Sequence, residues 1–273
     1  QDNVRPEVTR PLGEDFPAYA LRDLFVYWDN KARMPWQTPE YYESQRKQLR
    51  PAAYLRLHEN RWVSSEQSLF DMEKWDLCAS NGHRSPLPNK DIRLFVGVDA
   101  SVKKDRSAVV SVYRDGPRIK LGPKRWWQPS PENPMDLEET MESFILQLAK
   151  DYTLELVNYD PFQFHRSATT LSKKGLPMKE YAQSTANLTE MGQNLYDIVD
   201  QLNIDLYSDD VLRHEAKVTI GKETARGFRI AKEKQSQKID QIIALAMAAI
   251  GCTKSITSGI LGGLTSEHIV SHT

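Results

Sequence analysis

Residues 94–113 read LFVGVDASVKKDRSAVVSVY, and this stretch decides what kind of sheet the chain builds. Leu94, Val96 and Val98 alternate with Phe95, Gly97 and Asp99, the period of a strand with two distinct faces. Asp99 ends the run. A polar turn from Ala100 to Arg106 carries a second acid, Asp105, and Ser107 to Tyr113 is a β-branched strand able to pair antiparallel to the first. An aspartate that closes a strand and another that forms a turn account for both acids without any chemistry. The weight therefore falls on what lies downstream.

Thr153 to Asp160, TLELVNYD, is a second apolar strand that ends in an acid, and Pro161 follows at once. Proline cannot donate to a ladder, so the strand stops there. Asp160 is thus expected at the carboxyl end of a strand feeding a helix over Gln163 to Lys174, the edge at which open α/β sheets place ligands. Further on, Ile239, Ile242, Ile243, Ala246, Met247 and Ile250 recur at helical spacing with Ala244, Ala248 and Ala249 between them, which predicts a helix buried nearly all round. Asp240 lies in its first turn, where the helix dipole alone would favour a carboxylate.

Between these elements the expected order is a third strand (Arg118 to Gln128), a helix (Asp136 to Lys150), a strand (Leu176 to Ala182), a helix (Asn187 to Leu202), a short extended piece (Ile204 to Tyr207) and a short helix (Asp209 to Glu215). Lys217 to Lys238 is basic, with Lys217, Lys222, Arg226, Arg229, Lys232, Lys234 and Lys238 against Glu223 and Glu233. Its alternation about Gly221 predicts a β-hairpin with a positive face, although such runs are commonly just solvated surface. Asp99, Asp160 and Asp240, on three separate elements, can converge at one edge of a mixed sheet. Such a carboxylate cluster suits hard divalent cations, and two metals would clamp the attacking and leaving oxygens of a phosphodiester displacement. The basic hairpin would then hold phosphates.

Composition sets the outer bounds. The 273 residues, 40% hydrophobic and 27% charged, have the composition of a soluble globular protein, the element order being that of an α/β fold, and the formal charge of −1 requires any nucleic-acid affinity to be local. Cys78 and Cys252 offer neither a disulfide framework nor metal-ligand spacing. No apolar run approaches the ~20 residues of a membrane span, so no membrane partner is expected. The chain starts at Gln1 rather than Met, as expected of a processed or truncated product.

Residues 1–90 differ in texture and are expected to form a helical appendage. Leu21, Leu24, Phe25 and Trp28 show helical spacing, Thr38-Pro39-Glu40 opens a second helix, and Ser65 or Ser68 is the candidate cap of a last one holding Phe70, Met72 and Trp75. The aromatics Trp28, Trp36, Tyr41, Tyr42, Tyr54, Trp62 and Trp75 are read as packing residues. Residues 91–252 form the expected main domain, and 253–273 a flexible Ser/Thr/Gly tail.

The succession VGVDASVKKDRSAVV, LVNYDPFQF, basic hairpin and KIDQIIALAMAA closely resembles the nuclease domain of large terminase subunits of tailed bacteriophages, over about Arg93 to Gly251. MPWQTPEYYESQRKQLRPAAYLRLHENRWVS resembles the part of those proteins that follows the packaging ATPase. The resemblance implies a ribonuclease H-like mixed sheet flanked by helices. By motif it makes Asp99, Asp160 and Asp240 the metal-binding catalytic acids and Asp105 an accessory acid. It further implies Mg²⁺ or Mn²⁺ in two sites, and double-stranded viral DNA cut during head filling in the host cytoplasm. The expected partners are the portal and the small terminase subunit.

One departure stands out. Gly221-Lys222-Glu223-Thr224 lacks the first glycine and the strand-to-helix setting of a phosphate loop. No ATP site is expected in this chain, which reads as the C-terminal portion of a terminase or as a subunit whose motor lies elsewhere. The acids alone also suit another nuclease of this fold, such as a junction resolvase. A sugar-kinase-like ATPase would need glycine-rich loops that Tyr159-Asp160-Pro161 does not offer, and a docking module of the packaging motor would need no chemistry at all.

Overall fold

A computed structural model describes residues 10–11, 18–21, 24–27, 32, 34–48, 54, 57–60, 68–101, 106–130, 135–224, 227–234 and 236–266. The chain divides into two compact units, Gln1–Gln67 and Ser68–Thr273.

In the first unit β1 (Arg10–Pro11), β2 (Ala18–Leu21) and β3 (Leu24–Tyr27) form an antiparallel sheet in that order. The helix expected from Leu21, Leu24 and Phe25 is therefore a hairpin, with Leu21 paired to Leu24 and Ala18 to Tyr27. Tyr19, Phe25, Val26 and Tyr27 are strand formers, and that local preference outweighs the helical spacing. Helix α1 (Pro39–Gln48) opens as expected, with the Tyr41 N–H donating to Thr38 Oγ1 at 3.2 Å. Trp36 meets Tyr41 edge-on at 5.2 Å yet stays 58% exposed, while Tyr54 is buried with Arg46 4.9 Å over its ring. Trp28 and Trp62 lie outside the described residues.

The second unit opens with α2 (Met72–Ala79), capped by Asp71 rather than by a serine. Ser68 instead pairs with Ile220, and Ser65 lies outside the described residues. Phe70, Trp75 and Cys78 are buried in this unit's own core, so the division falls ahead of α2 rather than near residue 90. The chain continues through β4 (Arg93–Asp99), β5 (Ser107–Asp115), β6 (Arg118–Trp127), α3 (Ser143–Asp151), β7 (Thr153–Tyr159), α4 (Pro161–Lys173), β8 (Met178–Glu180), α5 (Thr185–Asp200), β9 (Ile204–Asp205), α6 (Asp210–Val218), β10 (Thr219–Thr224), β11 (Gly227–Lys232) and α7 (Asp240–Ser266). A π-helical turn, Glu138–Glu142, leads into α3 where a continuous helix is expected.

Six strands make one mixed sheet in the order β8-β7-β4-β5-β6-β9. β4 and β6 flank β5 antiparallel, whereas β7 lies parallel to β4, β8 to β7 and β9 to β6. Alternation sorts the two faces. Leu94, Val96, Val98 and Val109 pack with Met141 of the π-helical turn, Ile145 and Leu148 of α3, and Phe164, Ala168 and Leu171 of α4. Phe95, Ala108, Val110 and Val112 turn the other way, into a core shared with α2, α5, α6, the β10–β11 hairpin and α7.

Residues 241–250 of α7 are all buried. A Cβ at Gly97 would stand 1.9 Å from the Ala244 carbonyl oxygen, so only glycine lets the helix backbone settle on β4. Asn158 Nδ2 donates to Met247 O at 2.8 Å, and Gly251 abuts Leu156, Asn158 and Phe95. The helix thus runs antiparallel to β4, with its N-terminus toward the carboxyl end of that strand. It continues past Gly251, where the sequence reading places a tail, to Ser266. Thr253 Oγ1 donates to Ala249 O at 3.0 Å, one turn back within the same helix.

Candidate active site

Val98 of β4 pairs with Tyr159 of β7, and the next residue on each strand is an acid, Asp99 and Asp160. The Asp160 N–H donates to Val98 O at 3.4 Å, which carries the parallel pairing one step beyond the strand. Adjacent strands stand ~4.8 Å apart, so the two acids are neighbours at one edge. They also share a face: Gly97 and Asn158 both touch α7, and the period of two returns Asp99 and Asp160 to that side.

Asp240 begins α7. Ala244 rests on Gly97. From there Asp240 is four residues up the helix, ~6 Å, while Asp99 is two residues up the strand, ~6.6 Å. The same sheet edge therefore carries all three acids. Among the described residues, however, no three His, Cys, Asp or Glu side chains form a group able to hold a metal ion. The structure brings Asp99 and Asp160 side by side and Asp240 to the same edge, without a three-carboxylate cluster. Asp105 lies outside the described residues.

Gln183, which follows β8, reaches both neighbouring acids. Its Nε2 donates to Asp99 Oδ1 at 2.8 Å, and its backbone N–H lies near enough to the Asp160 carboxylate to favour the charged form. Asp160 also caps α4, accepting from the Phe162 N–H at 3.3 Å. Burial pushes the Asp160 carboxyl above the usual carboxylate range, and the Phe162 and Gln183 amides only partly oppose it.

Behind this edge lies a polar network absent from the sequence reading. Glu215 of α6 is fully buried and accepts from Arg106 Nη1 at 3.1 Å, from the Gln241 N–H at 2.8 Å and from Gln241 Nε2 at 3.1 Å. Gln241 Oε1 accepts from Lys124 Nζ at 2.7 Å, and Lys124 also meets Asp209 Oδ2 at 2.6 Å. The Arg106 guanidinium lies 4.6 Å over Trp126. The network ties the first turn of α7, beside Asp240, to the start of β5. Its one sequence signal is Glu215 standing between Leu212 and Ala216 on the buried stripe of an amphipathic helix.

The basic hairpin is present, with β10 and β11 antiparallel and Lys222 directly opposite Arg229. Ile220, Phe228 and Ile230 are buried, with Phe228 6.0 Å from the Tyr196 ring of α5. Lys217, Lys222 and Lys234 are exposed, and Arg229, Lys232 and Lys238 half-buried. Arg226 lies outside the described residues. Like charges directly opposite on a ladder repel, and an anion bound across Lys222 and Arg229 would relieve that.

Residues 122–255 match the family model described as the terminase large subunit, endonuclease domain. The match includes Asp160 and Asp240 and begins after Asp99. No curated protein matches the sequence. Among solved structures, the HK97 bacteriophage large terminase aligns with a TM-score of 0.58 at 16% identity, covering 78% of this chain and 50% of that one. The large terminase nuclease of the thermophilic phage G20c gives 0.52 at 16% identity, covering 66% and 96%. The chain spans about half the length of the HK97 protein. What it shares with these structures is the fold, a ribonuclease H-like mixed sheet flanked by helices.

Proposed function

We propose that this chain, which carries the endonuclease domain of a terminase large subunit over residues 122–255, is a divalent-metal-dependent endonuclease that hydrolyses double-stranded viral DNA during genome packaging. The observation that carries the reading is the placement of Asp99 and Asp160 on adjacent parallel strands at one edge and on one face of the sheet.

The donor set fits the metal. Mg²⁺ keeps several waters and is commonly bound by one or two carboxylates together with substrate phosphates, so two neighbouring aspartates suffice as protein ligands. Asp99 and Asp160 would hold Mg²⁺ or Mn²⁺, with Asp240 and Asp105 completing the set in the two-ion scheme that the resemblance implies. When bound, the metal would supply Lewis-acid stabilisation of the phosphodiester and a bound water more acidic than bulk water. The chain's own part is to hold those oxygens at the edge, with Gln183 against Asp99 and α7 anchored on Gly97. Lys222 and Arg229, with Lys217, Arg226, Lys232, Lys234 and Lys238 around them, would bind backbone phosphates without reading bases. Portal and small terminase subunit are the proposed assembly partners, and the host cytoplasm the proposed place of action.

Conversion of supercoiled plasmid with Mn²⁺ tests the reading. The parent chain should nick and linearise the DNA, while Asp99→Asn and Asp160→Asn should leave it intact with the circular dichroism unchanged. Cleavage by either variant at the parental rate removes the mechanism. A Lys222→Ala/Arg229→Ala double variant should lower the slope of log affinity against log salt by about 2. The alternative reading is a non-catalytic docking module of the packaging motor. A parent chain that binds DNA yet never cuts it would support that reading instead.

A further inference from the structure

The loop after β8 crosses the ends of two strands before entering α5, and its path is pinned at several points. The Tyr181 N–H donates to Tyr159 O at 2.8 Å, the Ser184 N–H to Ala182 O at 2.8 Å, and Asn187 Nδ2 to Ala182 O at 2.7 Å. Ser184 then caps α5 through the Asn187 N–H. Gln183 stands in the middle of this pinned segment. Strand order places β8 beside β7 and β7 beside β4. A residue just past β8 must therefore pass the end of β7, at Asp160, to reach the end of β4, at Asp99. Gln183 does both, with its backbone beside Asp160 and its Nε2 donating to Asp99 Oδ1 at 2.8 Å.

We propose that Gln183 is a positioning residue of the metal site, a neutral clamp that fixes the orientation of the Asp99 carboxylate beside Asp160 before a divalent cation arrives. The inference rests on the metal-dependent reading given above. Its physical basis is the inventory of lone pairs. A carboxylate has about four acceptor positions, and an amide on Oδ1 uses one of them while stopping rotation of the group, which leaves Oδ2 in a defined direction. A neutral donor does this without neutralising the charge that attracts the cation, whereas a lysine at the same place would compete with it. Partners of this kind behind metal ligands typically contribute about 10–100-fold to affinity.

Thermal melting of the whole chain across a Mn²⁺ titration reads this out without any cleavage assay. The parent chain should gain stability with Mn²⁺. Gln183→Ala should melt within about 2 °C of the parent in EDTA, since a single part-exposed hydrogen bond contributes little to stability, yet need at least about tenfold more Mn²⁺ for the half-maximal shift. Gln183→Glu sets a third carboxylate against the pair, so it should melt lower in EDTA and show a larger Mn²⁺-induced rise than the parent. If the parent responds to Mn²⁺ and Gln183→Ala titrates identically, or Gln183→Glu shows neither change, the clamp is refuted and the metal site stands. If the parent does not respond to Mn²⁺, both fall together.

Discussion

Asp160 and Asp209 do the same local work in different surroundings. Each is half-buried ahead of a helix and accepts a backbone N–H from its first turn, that of Phe162 at 3.3 Å and that of Leu212 at 2.7 Å. Burial pushes both carboxyls upward. At Asp209 the Leu212 amide and the Lys124 ammonium together outweigh it and hold the group below the usual carboxylate range. At Asp160 only amides oppose burial, and the carboxyl stays above that range. Capping and pairing thus explain Asp209 in full. They leave Asp160 as a charge that folding does not need, at the place where a cation would gain most from it.

The largest expected effect sharpens the value of pairing. Glu215→Ala removes a fully buried carboxylate from Arg106 and from the Gln241 N–H, and should lower unfolding free energy by about 3–5 kcal/mol in urea titrations. Swapping the two capping aspartates for asparagine breaks or upholds the comparison directly. Asp160→Asn should reduce Mn²⁺-dependent cleavage by more than about 100-fold, above the loss typical of outer ligand partners, with metal-free stability unchanged or raised. Asp209→Asn should keep cleavage and lose about 1 kcal/mol of stability. Equal loss of activity in both would erase the distinction.

Gly97→Ala probes how Asp240 reaches the edge. The added methyl collides with backbone at Ala244 rather than with a flexible side chain, so α7 must lift, at about 1–3 kcal/mol by melting and with weakened cleavage. The smallest effect is in pH dependence. Asp209, with its folded pKa below the ordinary 3.8, adds stability above that value that is lost as pH falls through the folded pKa. Asp160, raised above 3.8, contributes a penalty that appears as pH rises from 3.8 through its folded pKa and is absent below. In metal-free melts from about pH 3 to pH 8, Asp160→Asn should therefore gain on the parent as pH rises and Asp209→Asn should fall behind, both differences closing in acid.

The sheet's centre is legible in the sequence because its signals are local. Alternation at Leu94–Asp99, the proline after Asp160 and the buried periodicity after Ile239 each fix an element and its end without reference to the rest of the chain. What stays hidden depends on contacts distant in sequence. Gln183 meets Asp99 across 84 positions and Glu215 meets Gln241 across 26, and nothing near either residue announces its partner. The stretch Ala18–Tyr27 misleads because its helical spacing and its strand-forming residues disagree, and pairing decides between them. Texture alone groups α2 with the appendage, whereas Trp75 and Cys78 belong to the core beneath the sheet.

The central claim, that Asp99 and Asp160 share a divalent cation, is tested most directly by anomalous diffraction from crystals soaked in Mn²⁺. The account requires a manganese peak between the two side chains, about 2–2.5 Å from an oxygen of each. Manganese bound elsewhere, with both carboxylates turned away from it, would contradict the account.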